Sequence, residues 1–165
     1  MKNILWIILI SFVCIYACKE EKVKEEKVKE EYKQLQLGEF ASIISKDSND
    51  LRLVSIIDGS CSMCIVDFLE LNENLLKYKS KWKLPVHYIV MTGDPLTFQV
   101  NMRKFNPELA GNIILDTNYM MLDSNFLFKK SNIDVFLIDQ YNSIRISGNP
   151  FNDKDIYRQY KKYMK

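Results

Sequence analysis

From Ile4 to Ile15 the chain is almost continuously apolar (ILWIILISFVCI), from Lys19 to Tyr32 it is almost continuously charged, and near Gln34 an alternation of apolar runs and polar breaks takes over. Leu51 to Ile57 (LRLVSII) is the first confident element of that alternating part. It is mostly apolar, rich in branched residues and closed by Asp58-Gly59-Ser60, which predicts a buried strand. From Cys61 the period changes. Cys64, Phe68, Leu71 and Leu75 recur at helical spacing with no glycine or proline before Pro85, so an amphipathic helix is expected to about Lys79. Val86 to Met91 (VHYIVM) predicts a second strand, Pro95 opens a helix to about Phe105, and Asn112 to Leu115 is a short strand candidate. Val135 to Ile138 and Ser143 to Ser147 should pair as a hairpin across Asp139 to Asn142. Asn152 to Met164 then predicts a helix with Ile156, Tyr160 and Tyr163 on one side. A parallel βαβ unit, an antiparallel hairpin and a further helix make an α/β fold with a mixed central β-sheet and helices on both faces.

The apolar run is preceded by Lys2 and broken only by Ser11, the charged-then-apolar layout of a secretory signal. It falls short of the roughly 20 residues a membrane-spanning helix needs. Ile15-Tyr16-Ala17-Cys18 resembles the lipobox of bacterial lipoproteins: branched apolar, then small, then the cysteine that receives lipid. Cys14 follows Val13, where the peptidase requires a small residue. The resemblance implies that residues 1–17 are a signal peptide and that Cys18 is lipidated, anchoring the chain to a membrane without crossing it. Lys19-Glu20-Glu21 is similar to the surface-export signal of some Gram-negative lipoproteins, so the expected location is the cell envelope, facing the periplasm or the cell surface. Residues 18–33 carry the lipid site and a five-residue repeat (KEEKV, KEEKV, KEEY) whose apolar residues are Val23 and Val28. That period fits neither a heptad nor a core-facing stripe, so the segment reads as a solvated spacer. Its reach is about 21 Å as helix or about 48 Å extended.

Residues 34–165 are then one domain by length. A net charge of +2, with no Lys/Arg stripe interleaved with aromatics, makes no case for nucleic acid. Of four cysteines, Cys14 leaves with the signal and Cys18 is alkylated, so Cys61 and Cys64 remain as the two free thiols of the exported chain. Outside the cytoplasm such a pair is a structural disulfide or a switch between disulfide and dithiol. Its place at a strand-to-helix junction favours the switch. Cys61 would lie beside the unpaired N–H groups at the positive end of a helix, which stabilises a thiolate, and Cys64 one turn on belongs to the apolar stripe. Metal binding is a third reading. Zinc needs about four ligands, and the single histidine, His87, sits in an alternating strand where a packed or half-exposed role fits better. Met63 is a soft ligand suited to Cu(I), but a methionine at a helix start is ordinarily surface or rim. Ile65 stands where covalent haem attachment requires histidine. Asp58 is a conceivable proton acceptor, with turn formation as the competing role. No cofactor is expected.

Strand, Cys-x-x-Cys at a helix start, PVHYIVM and then FLIDQYNSIRISGNP resemble the thioredoxin superfamily, especially its envelope-anchored thiol–disulfide oxidoreductases, over about Leu51 to Met164. The resemblance implies a thioredoxin-like fold, Cys61 as nucleophile and Cys64 as resolving cysteine. It also implies protein or small-molecule thiols and disulfides as partners, with a separate electron donor or acceptor. Two positions depart from the family's pattern. Ser60 stands where tryptophan is common, and Ile133 stands where the family's cis-proline should fall. A cis bond before a non-proline residue costs roughly 3 kcal/mol, so the bond before Ile133 should be trans and the substrate-binding loop altered. The alternative function is a non-catalytic thioredoxin-fold lipoprotein acting as a binding or structural module.

Overall fold

The computed structural model describes residues 34–45, 50–125, 127 and 132–163, so the expected signal peptide, Cys18 and the charged spacer lie outside the described residues. From Leu35 onward the chain forms one compact unit. A 3₁₀ turn at Gly38–Phe40 leads into α1 (Ala41–Ile44). Next come β1 (Leu51–Asp58), α2 (Ser62–Trp82), β2 (Val86–Met91), α3 (Pro95–Phe105) and β3 (Asn112–Asp116). The chain continues through α4 (Met120–Ser124), β4 (Ile133–Asp139), β5 (Ile144–Ser147) and α5 (Lys154–Tyr163). The five strands form one mixed sheet in the order β3-β2-β1-β4-β5. β1, β2 and β3 run parallel, while β4 is antiparallel to both β1 and β5.

Both faces of this sheet are covered, which is why its central strands read as apolar runs rather than alternations. One face carries Leu53, Ile57, Tyr88, Val90, Val135 and Leu137, packed beneath Cys64, Phe68, Leu71 and Leu75 of α2, with Phe98 of α3 and Tyr160 of α5. The other carries Val54, Ile56, Ile89, Met91, Phe136 and Ile138, covered by Leu35, Leu37, Phe40, Ile44 and Met121. The leading segment and α4 thus close a face that the longer helices leave open. The order of the expected elements and the mixed sheet with helices on both sides match the expectation from the sequence, to which the structure adds the leading 3₁₀ turn, α1 and α4.

Several boundaries differ from the expected ones, and two of the differences have a tertiary cause. The helix expected to stop near Lys79 continues to Trp82, because Trp82 stacks on Phe151 at 5.3 Å and on Tyr160 at 5.9 Å, contacts between residues far apart in sequence. Lys83 then turns left-handed, with φ 48°, two residues before Pro85. β4 starts two residues before the expected Val135, since Ile133 pairs with Ile57 across the sheet. Asp139 ends that strand by folding over the hairpin. Its carboxylate accepts the Tyr141 and Ser143 N–H groups at 2.8 and 2.9 Å and pairs with Arg145.

Candidate functional site

The parallel strands β1, β2 and β3 end in line, with Asp58 opposite Met91 and Met91 opposite Asp116. The loops after all three therefore emerge at one end of the sheet, the usual place for chemistry in open α/β folds. Gly59 makes the first loop possible. Its N–H donates to the Met91 carbonyl at 2.8 Å, and a Cβ there would come within 2.6 Å of Val90 Cγ1. Asp58 tightens the same turn through its Oδ1, which accepts the Ser60 N–H at 2.9 Å, and through its carbonyl, which accepts the Cys61 N–H at 3.3 Å. That geometry assigns Asp58 to turn formation.

Cys61 is the N-cap of α2, in the extended conformation that caps adopt, and its Sγ accepts the Cys64 N–H at 3.3 Å. A sulfur here occupies the position where Ser, Thr or Asp ordinarily satisfies a free helix N–H. The first turn of α2 holds no acidic side chain. Negative charge on Cys61 would accordingly meet the positive end of a helix of 21 residues whose own first turn adds no carboxylate. Cys61 and Cys64 are joined in a disulfide. The pair is asymmetric: Cys61 is half-exposed, whereas Cys64 is 4 % exposed in the apolar cluster with Ile65 and Phe68. Met63 beside them is 62 % exposed, a rim residue.

The structure places the other candidates apart from the cysteines. His87 is buried on β2 in register with Val54, on the face of the sheet opposite Cys64, so it cannot join the cysteines as a ligand. Among the described residues no cluster of three or more His, Cys, Asp or Glu side chains is arranged to hold a metal ion. Ile133 is buried in the same cluster as Cys64 and Ile65. No described peptide bond is cis, so the bond before Ile133 is trans, as the cost of the alternative requires. Just ahead of it, Asn132 Nδ2 donates to Asp67 Oδ2 of α2 at 2.8 Å, tying the entry of β4 to the cysteine-bearing helix.

Sequence reasoning missed Tyr119. It lies in the loop after β3, and its hydroxyl accepts the Gly93 N–H of the second loop at 2.8 Å and lies 3.4 Å from Ser60 Oγ in the first. The one local signal was Asp116 at a strand end followed by Thr117-Asn118, a polar turn that could fix whatever follows it.

No protein-family model and no curated protein matches this chain. Solved structures do. The chain is similar to the exposed lipoprotein thioredoxin of Streptococcus pneumoniae, at 16 % identity and a TM-score of 0.52, over 72 % of this chain and 89 % of that one. It is similar to the thioredoxin domain of a thiol-disulfide oxidoreductase from Bacteroides vulgatus, at 16 % identity and a TM-score of 0.50, over 70 % and 80 %. A thiol:disulfide interchange protein of Chlorobium tepidum gives 13 % identity and a TM-score of 0.50 over 76 % and 85 %. The fold is thioredoxin-like.

Proposed function

We propose that this chain is a thiol–disulfide oxidoreductase of the cell envelope, with Cys61 as the attacking sulfur, Cys64 as the resolving one and Cys18 as the lipid anchor. The observation that carries the redox part is the asymmetric pair itself: a half-exposed sulfur capping a helix N-terminus, joined to a buried sulfur one turn later. A lowered pKa of the first thiol and protection of the second are what exchange by successive attack requires.

In the reducing direction the Cys61 thiolate attacks one sulfur of a substrate disulfide. That S–S bond breaks, and the other substrate sulfur leaves as a thiolate and takes up a proton. Cys64 then loses its proton and attacks Cys61, releasing the second substrate thiol and forming the Cys61–Cys64 disulfide. Two electrons have passed from the pair to the substrate, and a dithiol donor outside this chain must return them. Run backwards, the same steps oxidise a substrate dithiol. A non-catalytic module is the second reading, favoured by Ile133, whose buried side chain and trans bond stand where the family's substrate-binding loop carries a cis-proline.

Serine replacements separate the roles. Cys64→Ser keeps the attacker and removes the residue that releases the partner, so it should accumulate mixed disulfides with envelope proteins. Cys61→Ser should trap few or none. Equal capture by the two variants, or capture by neither, would remove the catalytic reading. The anchor is tested separately. Cys18→Ser should abolish incorporation of a labelled fatty acid, and lipid persisting on that variant would overturn the assignment of Cys18.

A further inference from the structure

We propose that Tyr119 is a positioning residue for the cysteine pair: its hydroxyl clamps the loop that presents Cys61, and so stabilises the dithiol form relative to the disulfide. This rests on the redox reading of Cys61 and Cys64 only for its biological use. The physical claim stands for any pair that can be reduced.

Three observations meet at this side chain. The first is its backbone. Tyr119 is left-handed, with φ 56° and ψ 29°, a conformation a bulky residue rarely holds unless its surroundings impose it. The second is what imposes it. Asp116, 1 % exposed, accepts the N–H groups of Asn118 and Met120 through Oδ1 at 3.3 and 3.1 Å, and that of Met121 through Oδ2 at 2.9 Å. A buried carboxylate thus fixes the backbone on both sides of Tyr119 and points the ring toward the end of the sheet that bears Cys61.

The third is what the hydroxyl reaches. Its oxygen accepts the Gly93 N–H at 2.8 Å and lies 3.4 Å from Ser60 Oγ, a contact in which either hydroxyl can donate. Ser60 is the residue before Cys61, and its N–H is already held by Asp58. One phenol therefore ties together the loops after β1, β2 and β3. In the oxidised chain the S–S bond itself holds Cys61 against the first turn of α2. Reduction removes that constraint, and the loop then depends on the clamp to keep the sulfur at the helix N-terminus. The clamp therefore contributes more to the dithiol than to the disulfide.

The test is the equilibrium of the full-length chain with glutathione. One protein disulfide and two glutathione thiols give one protein dithiol and one glutathione disulfide. Tyr119→Phe keeps the ring and deletes the clamp, and Ser60→Ala deletes its other end. Each should shift the equilibrium toward the protein disulfide by about threefold to tenfold, the range one hydrogen bond spans. Tenfold corresponds to a potential more negative by about 30 mV. Because both act through one contact, the double variant should shift no further than the larger single one.

An equilibrium within about 1.5-fold of the parent in Tyr119→Phe would overturn the proposal, since a shift that small is far below one hydrogen bond. Additive shifts in the double variant would overturn it as well. If Tyr119→Phe does not fold, Ser60→Ala decides alone, because its side chain is exposed and its loss leaves the core intact. The equilibrium constant is measurable whether or not the pair turns over. A failure here is thus distinguishable from failure to trap mixed disulfides, which would sink only the catalytic reading.

Discussion

At the middle of α2, Asn72 is 2 % exposed, and its amide ties that helix to β2 and to the loop between α3 and β3. Nδ2 donates to the Glu108 carbonyl at 2.7 Å, while Oδ1 accepts from the Tyr88 hydroxyl at 3.0 Å and the Ala110 N–H at 2.9 Å. Burial pushes the Tyr88 phenol well above its ordinary pKa, so it stays a donor at any physiological pH. Asn72→Ala should therefore destabilise the chain by about 3 kcal/mol, because it leaves buried donors and an acceptor without partners. Chemical denaturation checks this, and a loss under about 0.5 kcal/mol would mean that water replaces the amide. Residues of this kind were opaque in the sequence. Asn72, Asp116 and Tyr119 matter through partners 16 to 59 positions away, or through a turn that only the folded backbone defines. The placement of Cys61 and Cys64 at a helix start and the turn formed by Asp58 were legible, because they follow from neighbours within one turn.

Among the elements, those with a local start or stop signal were read closest to their true bounds. Pro95 occupies the first helical position of α3 behind the Asp94 cap, whose Oδ1 accepts the Thr97 N–H at 3.0 Å, and the observed span ends at Phe105 as expected. β2 likewise runs over Val86 to Met91, between Pro85 and Gly93. Elements held by tertiary contact were read short or missed. The last turn of α2 rests on Trp82 and its aromatic stack, and α1 and α4 span only four and five residues, too short to show a period. Yet those two short helices supply Ile44 and Met121 to the second core face, where both are fully buried.

For the molecule as a whole, a mixed sheet built from a parallel βαβ unit and an antiparallel hairpin followed from the order of runs, while the strand order β3-β2-β1-β4-β5 came from the structure. That topology brings the ends of β1, β2 and β3 together, and with them Cys61, Gly93 and Tyr119. The reading as an oxidoreductase depends on the pair at that end being exchangeable rather than a permanent staple. The reduction potential of the full-length chain separates the two, since structural disulfides lie below about −300 mV and working pairs above it. An exchangeable Cys61–Cys64 pair should show a potential above about −300 mV, with Cys61 as the thiol alkylated first on reduction. A potential well below that limit, with both cysteines unreactive until the chain unfolds, would refute the oxidoreductase reading and leave the fold as a binding module.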